Sequence, residues 1–347
     1  MKICFLASAN SIHSYKWVKY FSENGHQVCW VSFKPNTIGK IENVNFYEVR
    51  SFFPFNFFQF KKIVHNEKPD ILHAHYAGIN GFLAALINYH PFVLTAWGSD
   101  VLIAGKNLIK KFFVKYALNR ADLITCDADH MKRAMIEMGV EESKIKIIYF
   151  GVDVKKFSSS DNKKIKNQII SLRSLEPIYD IETLIKSVPL VLKEMPEAKF
   201  IIAGKGSEEE NLKKLVKDLG VFKNVEFIGL ISQNDLPKYL NESSVYVSTS
   251  LSDAGLASST AEAMACELPV IITDFADNKK WVENGKSGFL FPMKDYKALA
   301  DKIIYLLKNP RECEQMGKEG RKVIEEKNNY YKEMEEMEKI YASFKNN

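Results

Sequence analysis

Residues 2–33 read KICFLASANSIHSYKWVKYFSENGHQVCWVSF. Lys2–Ala7 is a short apolar run, as expected of a parallel strand buried on both faces. Ser8–Ser14 is a polar turn. Trp17, Val18, Tyr20 and Phe21 then recur at helical spacing until Gly25, and His26–Phe33 is a second apolar run. Strand, helix and strand of these lengths make a βαβ unit and predict a doubly wound α/β domain. The first loop lacks a G-x-G-x-x-G run, so a dinucleotide fingerprint is absent.

The pattern continues outward from this unit. Asn45–Arg50, Ile71–His75, Phe92–Thr95, Asp122–Cys126 and Ile145–Tyr149 read as strands, with helical segments between them. His73 and His75 alternate with Leu72 and Ala74 and so share one side near a strand's end, where open α/β sheets bind ligands. Two histidines alone make a poor metal site, so acceptor binding or plain packing is preferred. Asp127-Ala128-Asp129 has the spacing of a metal-binding pair, but it stands at a helix start, where capping and dipole pairing account for it. Ser51–Lys62 is dense in phenylalanine. Its rings pack under the sheet or form an apolar patch beside lysines, and packing is the preferred reading. Lys106–Arg120 reads as a helix with lysines among large apolar residues. That is a solvated basic face or a contact for anionic lipid headgroups.

Composition changes at Lys155–Gln168, a polar Ser- and Lys-rich run that reads as a linker. A second α/β series follows, with strands at Ile169–Leu172, Phe200–Ala203, Val225–Gly229, Val245–Thr249 and Val270–Thr273. Residues 312–345 are mostly helical and highly charged. The expected organisation is an amino-terminal domain over 1–155, a carboxy-terminal domain over 156–325 and a final helix over 326–347 packing back on the first domain. The fold class is α/β, with two Rossmann-like doubly wound domains facing across a cleft.

Composition narrows the function. The chain has 347 residues, enough for one large or two moderate domains, and a mild net charge of +5. That balance argues against a dedicated nucleic-acid binder. The five cysteines form no C-x-x-C pair, and four lie in apolar runs, which fits a reducing compartment. No structural metal site or cofactor motif is visible. The apolar run at the amino terminus is too short for a signal peptide, and no run is long enough to span a membrane.

The stretch Ser250–Ile272, SLSDAGLASSTAEAMACELPVII, carries the chemistry. Gly255–Ser258 are small enough for close backbone approach to a ligand. Ser259-Thr260-Ala261-Glu262 has capping-box spacing and predicts a helix start. Exposed N–H groups there form an anion site. Glu262 either caps the helix or binds a ligand hydroxyl, and the two roles do not exclude each other.

Taken in order, HAHYAGINGFLAAL, LTAWGSD, FGVD, LRSLEPIYDIETLI, FIIAGKG, the Ser250–Ile272 stretch and WVENGKSGFLFP resemble the motif series of the GT-B glycosyltransferases. Within them the match is to the retaining family 4, also called group 1. The resemblance implies a nucleotide diphospho-sugar donor, with a UDP-sugar favoured. It also implies a metal-independent, front-face transfer of a hexosyl or N-acetylhexosaminyl group to a glycan or lipid-linked acceptor. Surface polysaccharide or glycoconjugate assembly, in the cytoplasm at the inner face of the membrane, is the expected setting.

On this resemblance Arg173 neutralises the leaving diphosphate and Glu262 takes the ribose hydroxyls. Asp253 stands one residue before Ala254, where the family's first glutamate belongs, and can supply that carboxylate. Lys205, Gly206, Leu230, Ile231, Gly255, Leu256, Ala257, Ser258 and Ser259 complete the donor side. Lys205 also replaces the family's second cation, whose place is held by Ile178 and Tyr179. Asn10, His13, His75, Trp97, Asp100 and Gly151 fall on the acceptor side or in the cleft. Trp97 stands where the family has a histidine, and an indole cannot accept a hydrogen bond or transfer a proton. The alternative function is a non-catalytic nucleotide-sugar-binding partner of another glycosyltransferase.

Overall fold

The computed structural model describes residues 1–50, 54–102, 108–160, 165–252 and 255–345. The chain divides into two compact units, Met1–Phe150 with Tyr331–Asn347, and Gly151–Tyr330. The polar run Lys155–Gln168, expected as the linker, belongs to the second unit, where Phe157 is buried in a core with Val152 and Ile170.

In the first unit the strands are β1 (Lys2–Leu6), β2 (Gln27–Ser32), β3 (Val44–Glu48), β4 (Ile71–His75), β5 (Phe92–Thr95), β6 (Leu123–Cys126) and β7 (Ile145–Ile147). They form a parallel seven-stranded sheet in the order β3-β2-β1-β4-β5-β6-β7. The helices are α1 (Ile12–Glu23), α2 (Phe55–Glu67), α3 (Ile79–Ile87), α4 (Ser99–Leu102), α5 (Leu108–Arg120) and α6 (Asp129–Glu137). Right-handed crossovers running one way from β1 and the other way from β4 put α1 on one face and α2, α3 and α5 on the opposite face. Accordingly Phe60 and Val64 of α2, Leu83 and Ala84 of α3, and Val114 and Leu118 of α5 share one buried cluster.

The second unit repeats the plan. Its strands β8 (Gln168–Leu172), β9 (Lys199–Ala203), β10 (Val225–Gly229), β11 (Val245–Ser248), β12 (Val270–Thr273) and β13 (Phe289–Phe291) form a parallel sheet ordered β10-β9-β8-β11-β12-β13. The helices are α7 (Ile181–Glu194), α8 (Glu209–Asp218), α9 (Leu236–Glu242), α10 (Ser258–Ala265), α11 (Asn278–Trp281), α12 (Tyr296–Lys308) and α13 (Pro310–Lys327). In each sheet the winding reverses next to the first strand, between β1 and β4 and between β8 and β11. Ligands of doubly wound sheets bind outside the carboxyl ends at such a reversal.

The last helix, α14 (Tyr330–Ser343), returns to the first unit, where Tyr341 is fully buried against Phe21 and His73. The phenylalanine-rich stretch splits between the two readings. Phe60 is buried and Phe57 is half-buried, whereas Phe55 and Phe58 face solvent. Phe52 and Phe53 lie outside the described residues. Cys4, Cys29, Cys126 and Cys266 are buried thiols, and Cys313 is partly exposed.

Candidate active site

At the reversal point of the second unit, β8 ends and the chain turns at Arg173. The guanidinium lies over the Tyr179 ring, 4.2 Å from its centroid. This stacking fixes the plane of a delocalised cation and leaves its charge intact. The loop carrying it is pinned by backbone contacts. The Leu175 N–H donates to the Lys205 carbonyl at 3.0 Å, and the Glu208 N–H donates to the Leu175 carbonyl at 2.9 Å.

Glycines make this approach possible. A Cβ on Gly204 would lie 2.1 Å from the Arg173 carbonyl oxygen, and one on Gly206 would lie 2.2 Å from that of Leu175. The Gly-Lys-Gly turn is therefore built against the arginine loop. It holds Lys205 at the same sheet edge, its stem beside Gly229. Gly206→Ala is expected to push the loop away and lower the donor affinity about tenfold or more, since overpacking costs of order 1–3 kcal/mol. Calorimetry with the nucleotide diphosphate checks it, and unchanged affinity would detach the turn from the site. Leu230, in the loop after β10, is 73% exposed. An apolar side chain held in water at this edge suits contact with a nucleobase.

Glu262 sits in α10 and is 8% exposed. The expected capping box does not form. The helix begins at Ser258 with Ala257 as N-cap, whose side chain makes no cap bond. Ser259 instead bonds the Tyr246 hydroxyl at 2.8 Å. Glu262 therefore lies one turn inside the helix, not at the third helical position that the capping-box spacing assigns it. The start of α10 still presents backbone N–H groups without an intrahelical acceptor. The helix is fixed from behind by α13. Arg321 donates to the Ala265 and Phe157 carbonyls at 2.5 Å each, and to the Val154 carbonyl at 2.9 Å. A Cβ on Gly317 would lie 2.0 Å from the Glu267 carbonyl oxygen, so α13 and the end of α10 are in close contact. Asp253 and Ala254 lie outside the described residues.

At the reversal point of the first unit a pocket of about 280 Å³ is lined by Ser8, Ser14, Lys34, His75, Tyr76 and Trp97, among others. The two histidines of β4 separate here. His73 is held on both ring nitrogens, by the Tyr341 hydroxyl and, at 2.7 Å, by the Thr95 hydroxyl, and so serves packing. His75 is 2% exposed, and neither of its ring nitrogens has a hydrogen-bond partner among the described residues. Burial, with a smaller contribution from His13, pushes its pKa down to about 3. Its imidazole is therefore neutral and offers one donor and one acceptor.

The Ser14 hydroxyl and the Trp97 indole N–H are likewise buried without a partner among the described residues. Trp97 meets His13 edge-on at 5.6 Å and Phe150 at 5.7 Å between ring centroids. Burial, then Lys16, lowers the His13 pKa to about 4.

Asp100 is a clamp within its loop. Its carboxylate accepts from the Ala77 N–H at 2.6 Å, the Trp97 N–H at 3.0 Å and the Val101 N–H at 3.1 Å. Asn10 stands exposed in the turn after β1. Gly151 belongs to the second unit, where its φ is 69° and an added Cβ would lie 2.4 Å from Tyr330 Cα, so two backbone segments cross closely there. Asp127 does not cap α6, whose N-cap is Ala128. Burial, opposed by its own backbone N–H and assisted by Asp100, raises the Asp127 carboxyl to about 7. No group of three metal-ligating side chains exists among the described residues.

Sequence reasoning missed Ser14, Tyr76, Tyr179 and Tyr246. Tyr76 carried a usable signal, since it follows the His-Ala-His strand directly. It takes a φ of 79°, a left-handed conformation that side chains rarely adopt away from functional turns.

Two family models match this chain, glycosyl transferase 4-like over residues 2–128 and glycosyl transferases group 1 over residues 153–323. The chain belongs to the group 1 glycosyltransferases. Among relatives of this glycosyltransferase, the N-acetyl-alpha-D-glucosaminyl L-malate synthase of Bacillus anthracis is 23% identical, over 93% of this chain and 91% of that protein. The capsular polysaccharide biosynthesis glycosyltransferase CapM of Staphylococcus aureus is 27% identical, over 81% and 79%. The crystal structure of Anabaena HepE in complex with UDP matches with a TM-score of 0.81 at 16% identity, covering 99% of this chain and all (100%) of that one. The glycosyltransferase thus has the GT-B fold, built from two parallel-sheet α/β domains.

Proposed function

We propose that this glycosyltransferase is retaining and metal-independent, and moves a hexosyl or N-acetylhexosaminyl group from a UDP-sugar to a glycan or lipid-linked acceptor. The acceptor would belong to surface polysaccharide or glycoconjugate assembly, in the cytoplasm at the inner membrane face. The observation that carries the reading is the convergence of Arg173, the Gly204–Gly206 turn and the Glu262 helix on one sheet edge of the second unit. HepE, a fold neighbour, is also known in complex with UDP-glucose.

In this reading Glu262 accepts hydrogen bonds from the two ribose hydroxyls. Leu230 and Ile231 flank the base, and Leu256 with the backbone of Gly255–Ser259 supports the diphosphate and sugar. Arg173 and Lys205 neutralise the diphosphate as its bond to the anomeric carbon breaks. The acceptor oxygen bonds that carbon from the same face, and its proton passes to a leaving phosphate oxygen. No enzyme base is required, which accords with Trp97 at the family's histidine position. Asp253 takes the sugar hydroxyls in place of Ala254. Asn10, His13, His75, Trp97 and Asp100 shape the acceptor side, with His75 in contact and Asp100 positioning the loop, whereas Gly151 serves a backbone crossing in the second unit.

Two measurements test this. Proton NMR of the product from an α-linked donor should show an α-linkage, and rates should survive chelator. A β-linked product, or loss of activity restored by a divalent cation, would overturn the respective claim. His75→Phe keeps the ring packing against Trp17 and Phe5. It should lower kcat/KM for the acceptor about tenfold, the equivalent of one net hydrogen bond, with donor affinity unchanged. Wild-type acceptor kinetics would remove His75 from the site.

A further inference from the structure

Parallel strands put the starts of α2, α3 and α5 at the same sheet edge as the His75 pocket, because each helix runs back toward the start of the next strand. That edge carries large apolar side chains in water. Phe55, Phe58, Ile109 and Phe112 are 58, 61, 66 and 62% exposed. Phe55 and Phe58 open α2, and Ile109 and Phe112 open α5. Each pair is a helical neighbour at three residues' spacing, so each makes one apolar ridge.

The charge around these ridges has one sign. Helices α2, α3 and α5 contain six lysines and arginines and one acid, Glu67 at the far end of α2, where it pairs with Lys2 at 2.8 Å. Lys61 and Lys62 follow the first ridge on the exposed side of α2, and Lys111 and Lys115 flank the second. Helical spacing puts Lys111 and Lys115 on one stripe beside Phe112. Apolar side chains beside cations, with the one acid of these helices at the opposite end of α2, match the boundary between acyl chains and anionic headgroups. A soluble acidic protein would match the charge, but it leaves the exposure of the phenyl rings without a reason.

We infer that the carboxyl-edge rim of the first unit, formed by the starts of α2 and α5, docks on an anionic phospholipid bilayer and presents the His75 pocket to that surface. This names the partner of the proposed acceptor side and rests on that reading for its purpose, but its test does not depend on turnover.

The test is sedimentation of the full-length protein with phosphatidylcholine vesicles and with vesicles that also contain phosphatidylglycerol. The protein should pellet with the anionic vesicles at low salt and be released at high salt. The pair Phe58→Ser and Phe112→Ser should weaken partitioning at least about tenfold. The pair Lys111→Glu and Lys115→Glu should weaken it by more than about twentyfold, since each cation near such a surface contributes roughly a fivefold factor. Nucleotide release from the donor in detergent-free buffer without vesicles should match wild type in both variants, which shows them folded. Wild-type protein that stays in the supernatant, or variants that pellet as wild type does, would overturn the docking surface. So would light scattering that finds a dimer broken by the phenylalanine changes while vesicle binding persists, because a second copy would then cover this face. Failure of donor turnover with intact vesicle binding would instead contradict the proposed function alone.

Discussion

Glu262→Ala is expected to lower transfer by about 10²–10³-fold, with most of the loss in donor affinity. Glu262 is 8% exposed and held one turn inside α10, on a helix fixed by Arg321 and Gly317. Two hydroxyl donors to one carboxylate are charge-assisted bonds, each contributing about 1.5–3 kcal/mol net. Losing both costs roughly 3–4 kcal/mol even after partial replacement by water, which is the stated factor. Glu262→Gln separates ligand binding from stability. It keeps the shape and one acceptor oxygen, so the melting temperature should stay near wild type while donor affinity falls by an intermediate amount. Normal donor titration by the alanine variant, with only a lower melting temperature, would make Glu262 a structural residue.

Arg173→Ala carries the second large effect, a loss of about 10²–10³ in kcat, the usual cost of removing one fixed group that faces developing charge. The signature differs from that of Glu262. Charge on the leaving diphosphate grows as the glycosidic bond breaks, so kcat should fall more than donor affinity. Arg173→Lys restores charge but not the planar stack on Tyr179, which lies 4.2 Å from the guanidinium. It should recover only part of the rate. Single-turnover kinetics with saturating donor check this. An arginine that acts only in ground-state binding would show a raised KM with unchanged kcat.

Local periodicity made the fold legible. The apolar runs at Lys2–Ala7 and Ile71–His75 became β1 and β4, and the helix expected from Trp17 to Gly25 became α1. Element ends were less legible, because the last residues of a strand depend on neighbours far away in sequence. The capping box shows why a correct local pattern failed. Ser259 and Glu262 have the spacing, but the Tyr246 hydroxyl takes Ser259 and the N-cap falls two residues earlier, at Ala257. A tertiary partner displaced a local one.

The histidine pair gives the same lesson at longer range. Alternation put His73 and His75 on one side, where their rings lie 4.8 Å apart between centroids. Only Thr95 and Tyr341 decide which of them is satisfied, and Tyr341 is 268 residues from His73. The loop clamp by Asp100 was hidden for a related reason, since its first acceptor contact is a backbone N–H 23 residues earlier. Motif order identified the donor-side segments, whereas the stacking of Arg173 on Tyr179 required the fold of the intervening turn Pro177–Tyr179.

The most direct test of the donor site in the second unit is nucleotide-diphosphate release from a panel of nucleotide sugars, with and without a membrane extract as acceptor source. The account predicts release from at least one UDP-sugar, accelerated by the extract and lost in Arg173→Ala. Tight donor binding with neither transfer nor slow hydrolysis across the panel would contradict it, and would make the protein a nucleotide-sugar-binding partner of another transferase.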